Sequence, residues 1–323
     1  MPALSKHGPR IAVTLLPLLL AVLHAVGVLP MGVLQRLDDI IYDARLRATM
    51  PATRDERVVI VDIDEKSLAE VGRWPWARHH VARLVDTLFE DQRIALLGFD
   101  TVFAEADHSS GLRQLQQMAG GALADQPGFA ERVRQLEPEL DRDALLARAL
   151  KDRPVVLGYY FTSDRDGRTS GVLPAPVMQT EALGGRPILA TRWDGYGANI
   201  PPLAEAAPRA GFFNAITSPD GVVRSLPLLA EHGGRYYESL SLAMFRMVLG
   251  SPGVEPGFPP ERVVGRHYQA LESVRLRQGA STLAIPVDDR VAALVPFRGP
   301  GGPQDGGHGG GGAHSVAVGP RKP

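Results

Sequence analysis

Residues 58–61, Val-Val-Ile-Val, form a β-branched run with no polar interruption, and such a run reads as a strand buried on both faces. Just beyond it, Asp64, Glu65 and Ser67 can cap a short helix that stops at Gly72. Residues 79–90 (HHVARLVDTLFE) then place Val81, Leu84, Val85, Leu88 and Phe89 on one helical face, which needs a sheet to cover it. Residues 93–100 read as the next strand. Strand, helix and strand within about 45 residues impose a right-handed parallel crossover, so the expected class is α/β.

The rest of the chain extends that plan. Residues 105–152 read as helices lying on the sheet, the second opening at Asp141 or Asp143, and residues 154–161 read as a third strand. Periodicity fades over 162–208, where Gly and Pro rise, and this stretch is expected to be loop or a long crossover inside one domain. Residues 211–214 and 226–229, with a turn at Pro219-Asp220-Gly221 between them, predict an antiparallel hairpin that joins the sheet. A helix follows at 240–249, then edge strands at 274–285 and 291–297 around Asp288-Asp289. The expected fold is therefore a mixed sheet, a parallel βαβ core plus an antiparallel hairpin. Nine of the fourteen residues at 299–312 are glycine, so 301–323 is expected to be a disordered tail.

Ahead of the domain, residues 11–29 carry no formal charge over 19 positions, and only Thr14 and His24 are polar. At about 1.5 Å per residue such a helix covers roughly 28 Å, near the ~30 Å hydrocarbon core of a bilayer. The expectation is one transmembrane helix at 11–33, an uncleaved anchor behind a cytoplasmic segment at 1–10. Lys6 and Arg10 on one side face Arg36, Arg45 and Arg47 on the other, so charge does not set the orientation. A net charge of -1, from 35 basic and 36 acidic residues, gives no reason to expect nucleic acid as a partner. With no cysteine there is no disulfide, thiolate nucleophile or Cys-ligated zinc.

Few residues suggest chemistry, and each has a structural reading beside the functional one. Asp62 and Asp64 close the first strand and Asp100 closes the one taken as its neighbour; ligands of open α/β sheets bind outside such strand ends. Three carboxylates there suit Mg²⁺ or Ca²⁺. They equally suit helix caps or pairing with Arg73 or Arg78. Trp74-Pro75-Trp76 offers two flat walls for a pocket, or a packing clamp under a loop. Arg78 and Arg224 can hold an anion bidentately, or pair with Asp62, Asp100 or Asp220. His79 and His80, being adjacent, point about 100° apart on a helix and make no metal pair. No nucleophile stands with a base, so no catalytic residue and no cofactor is assigned.

Three segments resemble a known family. The stretch VVIVDIDEKSLAEVGRWPWARHHVARLVDTL at 58–88, with Asp62-x-Asp64, Ser67-Leu68, Gly72-Arg73-Trp74-Pro75-Trp76 and Arg78, looks like the opening of the second type of CHASE domain, the cyclase and histidine-kinase associated sensory extracellular domains. Residues 97–103 (LGFDTVF) resemble that family's next strand. Residues 211–229, through Gly211, Asn214, Asp220, Gly221, Arg224, Pro227 and Leu228, resemble its hairpin. The resemblance covers roughly 36–300. It implies an extracytoplasmic sensor on the periplasmic side of the cytoplasmic membrane for a small-molecule or environmental ligand, and the candidate ligand-binding residues from the reading above are Asp62, Asp64, Trp74, Trp76, Arg78, Asp100 and Arg224. It further implies coupling to a cyclase or kinase output domain, and the expected partners are a second copy of the chain in a homodimer or a separate cyclase or kinase output protein. The competing expectations are an anchored metal-dependent hydrolase or transferase using Asp62, Asp64 and Asp100, and a scaffold that senses nothing. Since no second apolar run and no output motif follow Arg298, the sequence reads as a truncated or frame-shifted form of a longer receptor.

Overall fold

A computed structural model describes the chain except residues 1–2, 26–30, 52, 54, 56, 164–165, 260–270, 300–314 and 319–323. The chain divides into two compact units: residues 1–54, 258–270 and 295–307 form one, and residues 55–257, 271–294 and 308–323 form the other.

Within the first unit, helix α1 spans Ala3–Ala25 and helix α2 spans Gly32–Thr49. The backbone N–H of Met31 donates to His24 Nδ1 (3.1 Å) between them. The expected transmembrane helix is not supported: among the described residues no helix is long and apolar enough to cross a membrane. The charge-free part of α1 begins at Ile11, and the described helix ends at Ala25. At about 1.5 Å per residue that part reaches roughly 22 Å, short of a bilayer core, and the remainder of the apolar run lies outside the described residues. Helix α2 carries Val33, Leu37, Ile40 and Ile41 exposed on its surface.

The second unit carries the mixed α/β architecture. It opens with β1 (Val59–Asp62), α3 (Glu65–Val71), α4 (Arg78–Asp86) with a π-helical turn at Thr87–Asp91, and β2 (Leu97–Phe99). Helices α5 (Leu112–Gly120), α6 (Phe129–Leu140) and α7 (Arg142–Leu150) lead to β3 (Val155–Thr162). The stretch expected to be loop holds β4 (Thr169–Ser170), β5 (Met178–Gln179), β6 (Thr191–Arg192), β7 (Gly195–Gly197) and α8 (Pro201–Ala206). These strands are two or three residues long, too short to show a period of two. Then come β8 (Ala210–Phe212), β9 (Ser225–Pro227), β10 (Leu229–His232), β11 (Arg235–Glu238) and α9 (Leu240–Val248). The chain continues through β12 (Gly253–Gly257), β13 (Ser273–Gln278), β14 (Ser281–Pro286), β15 (Ala292–Leu294) and β16 (Ser315–Val318).

The main sheet runs β1-β16-β2-β3-β7-β4, with β8 also on β3. β2 and β8 are parallel to β3, as a crossover fold requires. Three sequence expectations need correction here. β1 and β2 are not neighbours, because β16 lies between them, antiparallel to both. Within the stretch expected to be disordered, Ser315–Val318 is thus a strand; the expectation rested on the glycines of 299–312, whereas Ser-Val-Ala-Val has β-branched residues at alternate positions. The third correction concerns the hairpin at 211–229. Its turn forms, with Gly221 N–H donating to Ser218 O (2.8 Å), but the strands on either side part company. β8 pairs with β3 while β9 pairs with β15, because Gly211 and Phe212 are buried and complete the central sheet. The hairpins that do form are β10–β11 and β13–β14.

Side-chain parity explains the layering. Leu97, Phe99, Val155 and Leu157 face one side and join Val81, Val85 of α4, Leu146, Leu150 of α7 and Leu203 of α8. Val156 faces the other side and meets Ala243 and Met244 of α9. Gly98 sits on that second face because a Cβ there would lie 2.3 Å from Met244 Sδ. Burying a Leu or Val side chain stabilises by about 1.5–3 kcal/mol, so these two layers hold the sheet and fix what stands at its rim. A third cluster, Tyr159, Phe161, Ala198, Phe212, Ala230 and Tyr237, lies where β3 meets the hairpin β10–β11.

Candidate functional site

The residues singled out in the sequence fall in three places. Val316 pairs with Val61 on one side and Phe99 on the other, so Asp62 and Asp100 stand at the same level and the same end of the sheet. With β16 between them, their backbones are about 10 Å apart at the usual strand spacing. Asp64 is engaged otherwise: as N-cap of α3 it accepts from Ser67 N–H (2.8 Å) and Ser67 Oγ (2.7 Å), and these bonds hold its carboxyl below the usual range. The proposed divalent-ion site is not assembled, since among the described residues no group of three or more His, Asp or Glu side chains could hold a metal ion. The inserted strand is the physical reason.

The tryptophans form a clamp. Trp74 and Trp76 pack edge to face, ring centres 5.8 Å apart, and both lean on the core of α4, α7 and β2. Trp76 Nε1 donates to Gly72 O (2.8 Å), closing the loop that enters α4.

Arg78, the first residue of α4, is 7% exposed. Its guanidinium lies over the Phe103 ring at 4.6 Å, donates through one terminal nitrogen to Glu105 O (3.0 Å), and faces Asp143 Oδ1 across 3.5 Å without a hydrogen bond. Its backbone N–H donates to Asp107 Oδ2 (2.7 Å), and Asp107 N–H donates to Asp143 Oδ2 (2.8 Å). Burial pulls Arg78 below the usual arginine range against Asp143, Asp107 and Glu105, and burial pushes Asp143 up. Burial also presses Asp107 upward, but the hydrogen bonds from Ser109 and from the Arg78 backbone outweigh it and leave that carboxyl low. Every charge here is committed to another within the fold. Arg224 behaves likewise: 7% exposed, it donates to both Asp220 oxygens (3.0 and 2.7 Å), and this bidentate contact brings Asp220 down to about 2. Neither arginine is presented to a ligand.

Sequence reasoning did not single out the hairpin β10–β11. Its two-residue turn is Gly233-Gly234, both at positive φ (60° and 76°), the conformation a tight hairpin between twisted strands requires. This Gly-Gly between two short apolar runs was the signal to find it. The turn holds His232 between two clefts. One, of about 430 Å³, is lined by Arg192, Trp193, Asp194, Glu231 and the turn; there Glu231 accepts from Gly234 N–H (2.8 Å) and pairs with Arg192. The other, of about 480 Å³, is lined by Leu173, Pro174, Pro176, Tyr196, Arg235 and Tyr237 beside His232. His232 Nδ1 lies 3.0 Å from Trp193 O; a carbonyl only accepts, so Nδ1 carries the hydrogen. Its ring packs edge-on to Tyr196 (5.3 Å) and near Phe161 (5.8 Å). Two rigid prolines, two phenols, an imidazole and one guanidinium converge on this second cleft, a composition that binds small molecules.

No curated protein and no solved structure matches the chain. A family model, that of the CHASE2 domain, matches residues 16–308. CHASE2 domains are extracytoplasmic sensory domains typical of signal-transduction receptors, and they are not catalytic; with nearly the whole chain matched, the protein belongs to the CHASE2 domain family.

Proposed function

We propose that this chain is the ligand-receiving part of a signal-transduction receptor and takes up a small molecule in the cleft lined by Pro174, Pro176, Tyr196, His232, Arg235 and Tyr237. The observation that carries the reading is the contrast in commitment. Arg78 and Arg224 are bound to carboxylates of the fold, while the polar and aromatic groups of this cleft surround about 480 Å³ of open volume, within the range of small-molecule sites. The hairpin that carries His232, Arg235 and Tyr237 runs directly into α9 at Ser239, whose side chain caps that helix. α9 in turn packs on Val156 of the central sheet, so a ligand that shifts the hairpin has a continuous packed route into the core. A cyclase or kinase output, in this chain's receptor or in a separate partner, would read that shift.

Ligand-observed NMR of the full chain with a mixed fragment set tests the site. Fragments are expected to compete with one another and to lose contact with the Tyr196→Ala variant; equal binding to that variant would place the site elsewhere. Location outside the cytoplasm is tested separately by a periplasm-active reporter at the C-terminus, whose inactivity beside an active cytoplasmic reporter would refute it.

A further inference from the structure

The two clefts that flank His232 differ in charge. In the smaller one, the carboxylates of Asp194 and Glu231 stand with Arg192, and Glu231 is already tied to Arg192 and to the Gly234 amide. The larger cleft has one formally charged side chain among its lining residues, Arg235, and no carboxylate. Among the described residues the Arg235 guanidinium has no ion-pair or side-chain hydrogen-bond partner. It occupies the first position of β11, opposite His232, so the same turn fixes both side chains at the cleft rim. An unpaired guanidinium beside a low-dielectric wall is strongly selective for a planar oxyanion, which it meets with two parallel hydrogen bonds.

The remaining walls select the body of the ligand. Pro174 and Pro176 are rigid and flat, Tyr196 is half-buried, and the Tyr237 ring is anchored against Phe161 at 5.8 Å. Flat faces of this kind stack on a ring, aromatic or saturated, and their hydroxyls bond to ring substituents. A volume of about 480 Å³ holds one ring with a few substituents. Resting on the ligand-cleft reading above, we infer that the cleft receives a small ring-bearing monocarboxylate, its ring against Pro174, Pro176 and Tyr196 and its carboxylate on Arg235. An aromatic acid and a sugar acid share this chemistry.

Calorimetric titration of the full chain with 4-hydroxybenzoate and with glucuronate, each against its uncharged counterpart (4-hydroxybenzamide and glucose), separates the cases. At least one acid is expected to bind about tenfold or more tightly than its neutral counterpart. Which acid does so tells an aromatic ligand from a sugar acid. In Arg235→Ala that preference is expected to vanish with the far-ultraviolet circular dichroism unchanged, and in Arg235→Lys to return in part. Equal affinity for acid and neutral partner, a preference that survives Arg235→Ala, or no binding of either acid at 10 mM would each overturn the inference. The fragment experiment with Tyr196→Ala stays independent of this outcome, because uncharged fragments report on the cleft whatever the fate of the carboxylate.

Discussion

Two arginine-bearing regions of the second unit make opposite use of the same side chain. At the start of α4, Arg78 is enclosed by Phe103, Glu105, Asp107 and Asp143, and its charge is wholly absorbed by the fold. At the start of β11, Arg235 is exposed at the rim of a cleft with no carboxylate among its lining residues. A residue's prominence in a sequence motif thus measures how tightly the fold holds it, and a tightly held charge is not available to a ligand. The Gly72-Arg73-Trp74-Pro75-Trp76 loop and Arg78 hold the entry to α4; the Gly-Gly hairpin leaves its cation open.

The largest effect that sharpens this contrast is expected at Arg78. In Arg78→Ala, Asp107 and Asp143 lose their buried counter-charge, and unfolding by urea should show a loss of about 3–5 kcal/mol. Arg78→Met, which keeps the length against Phe103, should lose no less if the charge matters, and a loss under about 1 kcal/mol in both would break the comparison.

A smaller, pH-dependent effect is expected at the other enclosed arginine. Asp220 is brought from its ordinary value near 3.8 to about 2 by Arg224, so its folded pKa is depressed. A depressed carboxylate contributes stability that is fully present above its unfolded pKa and is lost as pH falls through the folded one. The stability difference between wild type and Asp220→Asn should therefore be flat at neutral pH and shrink between about pH 4 and pH 2. A difference that grows on acidification would contradict the Arg224 contact.

The smallest effect is expected at Arg235. Since its guanidinium supports nothing in the fold, Arg235→Ala should change stability by no more than about 0.5 kcal/mol, measured in the same urea series. A loss comparable with that of Arg78→Ala would show that both arginines serve the fold.

Much of the architecture was legible because it is written in local periodicity. The apolar face Val81, Val85 and Leu88, the cap at Asp64 and the stop at Gly72 need no distant partner to be read, and each stands where the pattern placed it; the β-branched run before Asp62 does form a strand, but Val58, Val59 and Ile60 are exposed rather than buried on both faces. The candidate site was legible only in its structural half. Asp220 stood among the carboxylates that could pair with Arg224, only four residues away, whereas Asp107 and Asp143 reach Arg78 from 29 and 65 positions away and were not among the candidates. No spacing rule spans such separations.

The α/β class, the family and the lack of a thiol all rest on residue identity and short-range pattern, and so could be read before folding is considered. Which strands are neighbours is settled by the folded chain alone. β16, from near the end of the chain, lies between β1 and β2 and sets Asp62 and Asp100 apart, and β8 leaves its apparent hairpin to complete the sheet on β3. Strand pairing is settled by which edge offers unsatisfied backbone groups and a matching apolar face, and those edges exist only once the chain has come together. The same holds for the cleft: His232 and Arg235 come from the hairpin β10–β11, Tyr196 from β7 of the main sheet and Pro174 from the segment before β5, and nothing in their order along the chain announces that they share a surface.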